Sequence, residues 1–449
     1  MGYAGSHKIW IYAALAALAG IALFLFLHAA SISFIAANTL SANAIANSST
    51  SSAPAMPAGQ LQETHDWMQM SSSMGNFSFS AYAYLANASQ GNILFSPFSL
   101  YGALAMAASG ARGTTYSQFA SVLGLGNISS AGMGFAYLLH AFAAPQNPYY
   151  AICINNAAWI ENNYPVKNSF LSNLSYYNAS VYSADFGNPL EYKAINSWIS
   201  NHTFGKITDL FSSPLSSQTK LILINTVYFK GAWSVAFDAN LTKQRNFYLA
   251  NGSAIKVPMM NNMFYENAFY FNDSLMQALM LNYKGGNLSM LILLPNSNAS
   301  LQDAAKSLAS MGMPLFISRL RSFYMINASL PRFSFTTESM DLNKMLESMG
   351  ITNAFSGQNA NFTGIVNATY EKDNGNLYIS KVVQKAYIEV NETGTTAAAA
   401  TGVEVGATSV ASPAPLVTFN ADHPFIFFIV DRHTGAILFM GKVENPLAQ

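Results

Sequence analysis

One segment near the C-terminus has the features of both an exposed loop and a buried strand. Residues 392–401 contain the β-branched residues of a strand, with side chains small enough to slide between other strands. Because strand side chains alternate between two faces, one face could enter a core while Glu404 stays in water. Further on, Gly406 and residues 412–415 have loop composition. The pattern predicts a segment with two conformational states.

The sequence around this segment resembles the serpins, a family of serine protease inhibitors. Residues 377–391 resemble the family's central strand leading into its reactive-centre loop. The other motifs that carry the resemblance lie at 92–99, 225–233, 330–333, 421–429 and 435–446. Together they cover residues 74–446 in family order.

The resemblance implies an α+β fold with three β-sheets, eight or nine helices and a reactive loop above the largest sheet. Residue patterns alone support that class, with a helix over 99–109 and buried strands over 221–229 and 288–294. In this family a protease attacks the loop, forms an acyl-enzyme, and is trapped as the hinge inserts into the main sheet. The resemblance therefore implies an inhibitor, not an enzyme, whose partner is a serine protease held in a covalent complex. A cysteine protease is the alternative target class.

The resemblance also assigns roles to hinge residues. Glu392 would anchor the hinge by pairing with Arg332, and Gly394 would supply backbone freedom at the turning point. The small residues that would enter the sheet are Thr395, Ala397, Ala399 and Thr401.

A second group would control how the central strands part. Trp233 would fill the top of the sheet, where insertion begins. Lower down, Ser96, Ser99 and Asn225 match a hydrogen-bonded cluster, and Gln384 stands where the family commonly has a histidine. An amide donates and accepts without titrating, whereas histidine changes charge near pH 6.5. Two interpretations stay open: an altered opening threshold or adaptation to acid, and a neutral replacement.

Family spacing places the reactive bond between Thr408 and Ser409, but the loop is long enough to leave all of 405–411 open. No Lys or Arg occurs between Lys385 and Arg432. A trypsin-like target is disfavoured, because the carboxylate in its specificity pocket would stay unpaired. An elastase-like or subtilisin-like protease fits better.

A non-inhibitory serpin that acts as a carrier or surface scaffold is the competing hypothesis. Such members often place charge or proline where insertion requires small residues, and the four small hinge residues listed above include neither. Enzyme motifs such as Gly-x-Ser-x-Gly and His-Glu-x-x-His do not occur in the sequence. We expect no metal or cofactor, and the lone Cys153 lies in an apolar run that predicts a buried structural thiol.

The N-terminus predicts export. Residues 9–27 carry no charge and are long enough to span a bilayer, with Lys8 before them and Arg112 the next Lys or Arg. We expect a membrane anchor in 1–36, a flexible tether and lead-in in 37–73, and a serpin domain outside the cell in 74–449. A secreted protein cleaved near residues 42–44 is the alternative.

The low charge of the chain limits the partners that we expect. Charged residues make up 9% of the chain and its net charge is zero, so no basic surface for nucleic acid is expected. The chain is expected to be monomeric. Sixteen Asn-x-Ser/Thr sequons, from Asn47 to Asn391, would permit heavy glycosylation outside the cytoplasm. Chance occurrence in an Asn- and Ser-rich sequence is the other interpretation.

Overall fold

A computed structural model of the chain describes residues 66–126, 128–142, 149–265, 267–286, 288–323, 325–337, 339–395 and 416–448. The predicted anchor, most of the tether and the predicted reactive bond Thr408–Ser409 lie outside these residues. Ala397, Ala399 and Thr401 of the predicted hinge lie outside them too.

The described residues contain ten α-helices, where the resemblance implied eight or nine. Their bounds are α1 Asp66–Ala88, α2 Pro97–Gly110, α3 Gly113–Leu123, α4 Ile128–Phe142, α5 Asn168–Leu171, α6 Glu191–His202, α7 Leu301–Met311, α8 Met313–Arg319, α9 Asn343–Met349 and α10 Ala368–Asn374. Three short 3₁₀ helices span Leu174–Tyr177, Ala239–Leu241 and Asn353–Phe355. The extra helix reflects one-turn elements such as the four-residue α5.

Local sequence explains how the first two helices begin. The Ser96 hydroxyl accepts a hydrogen bond from the amide of Ser99, and Pro97 occupies the first turn of α2. Helix α1 begins at Asp66, before Met74, where the sequence placed the start of the domain. It does so because Met70, Met74 and Phe77 recur at helical spacing and are buried.

Eighteen strands accompany the helices. Their bounds are β1 Ile93–Phe95, β2 Tyr150–Glu161, β3 Ala179–Ala184, β4 Leu221–Ala232, β5 Lys243–Tyr248, β6 Ala254–Phe264, β7 Ala268–Asn272, β8 Met276–Asn282, β9 Leu288–Pro295, β10 Arg321–Ser322, β11 Met325–Pro331, β12 Phe333–Thr336, β13 Met340–Asp341, β14 Ile379–Asn391, β15 Gly394–Thr395, β16 Leu416–Asn420, β17 Phe425–Asp431 and β18 Ile437–Val443.

These strands form three sheets. The main sheet has the order β12-β14-β15-β4-β2-β3, with β13 paired to β14. The core sheet has the order β1-β18-β17-β9-β8-β7-β10, and the small sheet has the order β16-β11-β6-β5. This is the predicted α+β architecture with three sheets.

The main sheet is buried on both faces along its centre. Strand β4 is almost wholly buried, as its largely apolar sequence predicted. On one face, Trp159, Ile222 and Ile224 of the sheet pack against Ile195 and Ile199 of α6. The other face contributes to a larger core that includes the strands of the core sheet and α2. Helix α6 therefore covers one face of β2 and β4.

Cys153 is half-buried in β2, not fully buried as predicted, and burial raises the pKa of its thiol. Between residues 66 and 448, the part of the chain described above contains no helix long and apolar enough to cross a membrane.

Candidate functional site

The predicted hinge is already joined to the main sheet at its first two residues. Strand β14 ends at Asn391, the chain reverses through Glu392 and Thr393, and it returns as β15. Thr395 pairs with Val390 of β14 on one side and with Gly231 of β4 on the other. Strand β15 is antiparallel to both neighbours. We call the line between β4 and β14 the seam, and this end of it the upper end.

Gly394 fits here because no side chain could. A Cβ atom at this position would lie 2.1 Å from the carbonyl oxygen of Gly231 and 2.9 Å from the Cα of Ala232. Both are backbone atoms, which cannot rotate away. The family resemblance implied a role for this glycine in backbone freedom, whereas the structure makes close packing against β4 its clearest requirement.

Thr395 is buried among aromatic residues. Its hydroxyl lies 2.6 Å from the hydroxyl of Tyr283, and burial raises the pKa of that tyrosine, so it stays protonated. The Tyr283 ring stacks on Trp233 with centroids 4.7 Å apart. The Trp233 indole N–H in turn donates to the carbonyl of Asn391 at 2.9 Å. The aromatic pair thus holds both the last residue of β14 and the second residue of β15.

Glu392 fixes the turn between the two strands. Its carboxylate accepts hydrogen bonds from the guanidinium of Arg332 at 2.5 Å and from the hydroxyl of Thr242 at 2.7 Å. Burial alone would raise the pKa of Glu392, but these two donors outweigh it and the pKa is lowered. The contribution of Glu392 to stability is therefore present above its unfolded pKa and is lost as pH falls through the lower folded value. The sequence-predicted partners Glu392 and Arg332 are in contact, and Thr242 is a third member that sequence reasoning missed.

The lower part of the seam has no intervening strand. Here β4 and β14 pair directly and in parallel, from Leu221 opposite Ile379 to Val227 opposite Ala386. Behind this pairing lies the amide cluster, a group of buried polar side chains from the start of α2 and from β2, β4 and β14: Ser96, Ser99, Asn156, Asn225 and Gln384.

Gln384 is the centre of the amide cluster. Its Oε1 accepts from the backbone amide of Ser96 at 2.8 Å, and its Nε2 donates to the Ser96 carbonyl at 3.1 Å and to the side-chain oxygen of Asn225. Asn225 donates to the hydroxyl of Ser99 and, at 2.6 Å, to the side-chain oxygen of Asn156. The groups of the cluster are amides and hydroxyls, so it does not titrate at ordinary pH.

Sequence reasoning placed Trp233 at the top of the sheet, and the structure puts this side chain at the upper end of the seam, away from Ser96, Ser99, Asn225 and Gln384. It missed Asn156, whose signal is a polar Asn155–Asn156 pair inside the apolar sequence of β2. It also missed Tyr283, which has no local sequence signal because its partner Thr395 is 112 residues away.

The site consists of two neighbouring strands and the residues that hold them apart at one end and together at the other. At the upper end two residues have widened the sheet, and below them two parallel strands can exchange their mutual hydrogen bonds for bonds to an inserted antiparallel strand. In the ranges described above, no group of three or more His, Cys, Asp or Glu side chains is placed to hold a metal ion. The geometry suits strand insertion.

Comparison with known proteins identifies relatives of this chain. A family model described as serpin (serine protease inhibitor) matches residues 72–446. An uncharacterized serpin-like protein of Thermococcus kodakarensis is 38% identical over 377 residues, covering 83% of this chain and 85% of that protein. Intracellular coagulation inhibitor 1 of Tachypleus tridentatus is 34% identical over 397 residues, covering 87% and 92%. The structure of human thyroxine-binding globulin complexed with thyroxine has a TM-score of 0.74 at 27% identity, over 86% of this chain and 100% of that one.

Proposed function

This chain belongs to the serpin family, and from that premise we propose that it is a suicide inhibitor of serine proteases. A protease would attack the loop, become an acyl-enzyme, and be carried down the seam as the loop inserts. Cysteine proteases of the same specificity are the alternative targets. The observation that carries the proposal is β15, since Gly394 and Thr395 already occupy the upper end of the seam that the loop would have to enter.

The pairing along the seam supports insertion as the driving step. An inserted strand would add ladder hydrogen bonds on both its sides, in the antiparallel arrangement that β15 already has. Insertion would have to separate β4 from β14 along the direct parallel pairing between them. We assign control of that separation to the amide cluster and anchoring of the turn to Glu392 and Arg332.

The loop sequence sets the target class. We propose cleavage between Thr408 and Ser409, within the wider stretch 405–411. This stretch contains Val, Gly, Ala, Thr and Ser but no basic or aromatic residue. An elastase-like or subtilisin-like protease, which accepts small neutral residues, is therefore the expected partner. Hinge positions Ala397, Ala399 and Thr401 would follow Thr395 into the sheet.

Incubation with such a protease tests the proposal. We expect a complex that survives boiling in detergent, because an ester joins the protease serine to the cleaved loop. The released C-terminal peptide should begin near Ser409. Cleavage in the loop with neither a complex nor a rise in thermal stability would show that the loop does not insert.

Export to the cell exterior is the second part of the proposal. Residues 9–27 support an N-terminal anchor with the serpin domain outside, and cleavage near 42–44 would give a secreted protein instead. Carbonate washing of membranes separates these outcomes. Full-length protein that stays with the membrane favours the anchor, and a soluble protein with its N-terminus near Ile45 favours the secreted form.

A carrier function is the second candidate, and a cavity favours it. A space of about 630 Å³ lies between α1 and α7, with Phe79, Tyr82 and Ala305 among its lining residues. Within the described ranges, the buried hydroxyl of Tyr82 has no hydrogen-bond partner. Thyroxine-binding globulin, a relative in fold, is known in complex with thyroxine. Saturable binding of thyroxine as an aromatic probe, together with failure to trap any protease, would favour the carrier.

A further inference from the structure

The sequons differ from the other asparagines in where the fold places them. Thirteen of the sixteen lie in the described ranges, and ten of these have an exposed asparagine. Two of the ten are in turns, at Asn251 and Asn298, while Asn240 lies in a 3₁₀ helix and Asn272 is the last residue of β7. The other six lie on helices or at helix ends, at Asn76, Asn87, Asn173, Asn178, Asn201 and Asn367.

The remaining asparagines are an internal control, because they have the same side chain in the same fold. Of the twenty-two asparagines in the described ranges that are not in sequons, nine are exposed. If sequons had arisen by chance, the exposed share should be similar in both groups. Instead, about three quarters of the sequon asparagines are exposed, against about two fifths of the others. The sequons are therefore concentrated where a transferase could reach them.

The side-chain hydrogen bonds of Asn251 and Asn367 are made by Oδ1, whereas a glycan is attached to Nδ2. Asn251 lies in the turn between β5 and β6, where its Oδ1 accepts from the backbone amide of Ser253 at 3.0 Å and from its hydroxyl at 2.7 Å. Asn367 caps α10, and its Oδ1 accepts from the amide of Thr369 at 3.2 Å. A sugar is attached to Nδ2, so its addition would break none of these bonds.

Three sequon asparagines are half-buried: Asn327, Asn361 and Asn391. Asn327 is the clearest case, because it lies in the middle of β11, which pairs with β6 on one side and β16 on the other. Its Oδ1 accepts from the side-chain amide of Asn261 at 3.1 Å. A glycan there would compete with the packing of the small sheet.

Low charge gives the exposed sites a physical purpose. With only 9% charged residues and zero net charge, the surface lacks the usual means of staying hydrated and apart from other molecules. Neutral, strongly hydrated sugars would supply both without adding charge.

We propose that the exposed sequons carry N-linked glycans and that Asn327 does not. The amide Nδ2 forms a bond to the anomeric carbon of a lipid-phosphate-linked oligosaccharide. The bond from that carbon to the phosphate oxygen breaks, the lipid phosphate leaves with the electron pair, and Nδ2 loses one proton. The reaction requires exposure to the transferase outside the cytoplasm, and it does not depend on whether the loop inserts.

Mass spectrometry of the full-length protein purified from its own cells tests the proposal. Chymotryptic digestion suits a chain with so few basic residues. We expect peptides that contain Asn251, Asn298 and Asn367 to carry sugar mass increments, and the Asn327 peptide to be unmodified. Unmodified peptides at all three sites would overturn the proposal, and a modified Asn327 would overturn the sorting by exposure.

A matched pair of variants gives an independent readout. The N251Q, N298Q and N367Q substitutions together should remove three glycans and increase gel mobility. The control substitutions N246Q, N267Q and N359Q change exposed asparagines outside sequons and should leave the mobility unchanged. Equal mobility of both variants and the wild type would contradict the proposal. Protease trapping by the same samples reports on the inhibitor function separately.

Discussion

The two ends of the seam differ in whether β4 and β14 are separated or bonded to each other. At the upper end the sheet is held open by β15, and Tyr283, Trp233 and the ion pair of Glu392 with Arg332 fix the inserted turn. At the lower end β4 and β14 are bonded directly to each other over the amide cluster. The upper end includes ionised groups, whereas the cluster is built from amides and hydroxyls. Gly394 and Thr395 already lie in the sheet, so in the proposed mechanism the barrier to further insertion would lie in the lower part.

The largest expected effect comes from blocking the upper end. Thr395→Arg would bury a charge beside Tyr283, at a cost of several kcal/mol. The hinge should leave the sheet, the protease should escape by deacylation, and the number of inhibitor molecules consumed per protease should rise about tenfold or more. Titration of protease activity measures this ratio. Ala397→Pro should act in the same direction, because proline cannot donate in a central strand.

A matched control for Thr395→Arg is Thr208→Arg, which places the same side chain on an exposed threonine. It should leave the ratio unchanged. If Thr395→Arg also inhibited as well as the wild type, insertion through the upper end would have to be abandoned.

At the lower end, removing one member of the amide cluster should have the next largest effect. Asn225→Leu leaves the partners at Gln384, Asn156 and Ser99 without their buried hydrogen bonds. We expect the free energy of unfolding to fall by about 2–4 kcal/mol, measured by urea denaturation. The exposed control Asn246→Leu should change it little. A small effect of Asn225→Leu would mean that the cluster does not hold the seam closed.

The amide cluster contains no group that titrates at ordinary pH, and Gln384→His would introduce one. Burial should hold the folded pKa of this histidine below its unfolded value of about 6.5, so stability should fall as pH drops through about 6.5 toward the folded pKa. The exposed control Gln244→His should show no such loss. Thermal melts at intervals between pH 5 and 8 measure both.

The seam of the wild type should instead contribute nearly constant stability over that range, whereas Asp422 raises the pKa of His423, whose contribution is lost as pH rises from about 6.5 through the raised folded value. The lowered pKa of Glu392 confines its loss of stabilisation to pH below its unfolded value of about 4.3. Inhibition of an acid-active protease should therefore persist from about pH 4 to 7. Unfolding of the wild type below pH 5 would contradict this acid tolerance.

The smallest predicted effect belongs to a single hydrogen bond. Tyr283→Phe keeps the ring against Trp233 and removes the bond to Thr395, at a cost of about 1 kcal/mol. The exposed control Tyr248→Phe should cost almost nothing. No difference between the two melting temperatures would show that the hydroxyl contact does not hold the hinge.

Local sequence patterns predicted the central part of this site. The apolar run of β4, the Ser96–Pro97 helix start and the small residues of the hinge all have local physical meanings. What sequence reasoning missed depends on distant partners. Whether Gly394 and Thr395 belong to a loop or to a sheet is decided by Gly231 and Tyr283, which only the folded chain brings to them. Asn156 is missed for the same reason, since its role depends on Asn225 in the next strand.

The pairing of Thr395 with Val390 also predicts how far an inserted loop would reach along β14. If that register continued down the seam, Gly406 would come to lie opposite Ile379, the first residue of β14. Residue 408, the predicted acyl position, would then emerge just past the far end of the strand. Thirteen residues of extended chain measure roughly 40 Å, so a protease attached there would travel the full length of the strand. The length of β14 and the number of loop residues are thus matched, and shortening the loop by two residues would stop the protease about 7 Å short.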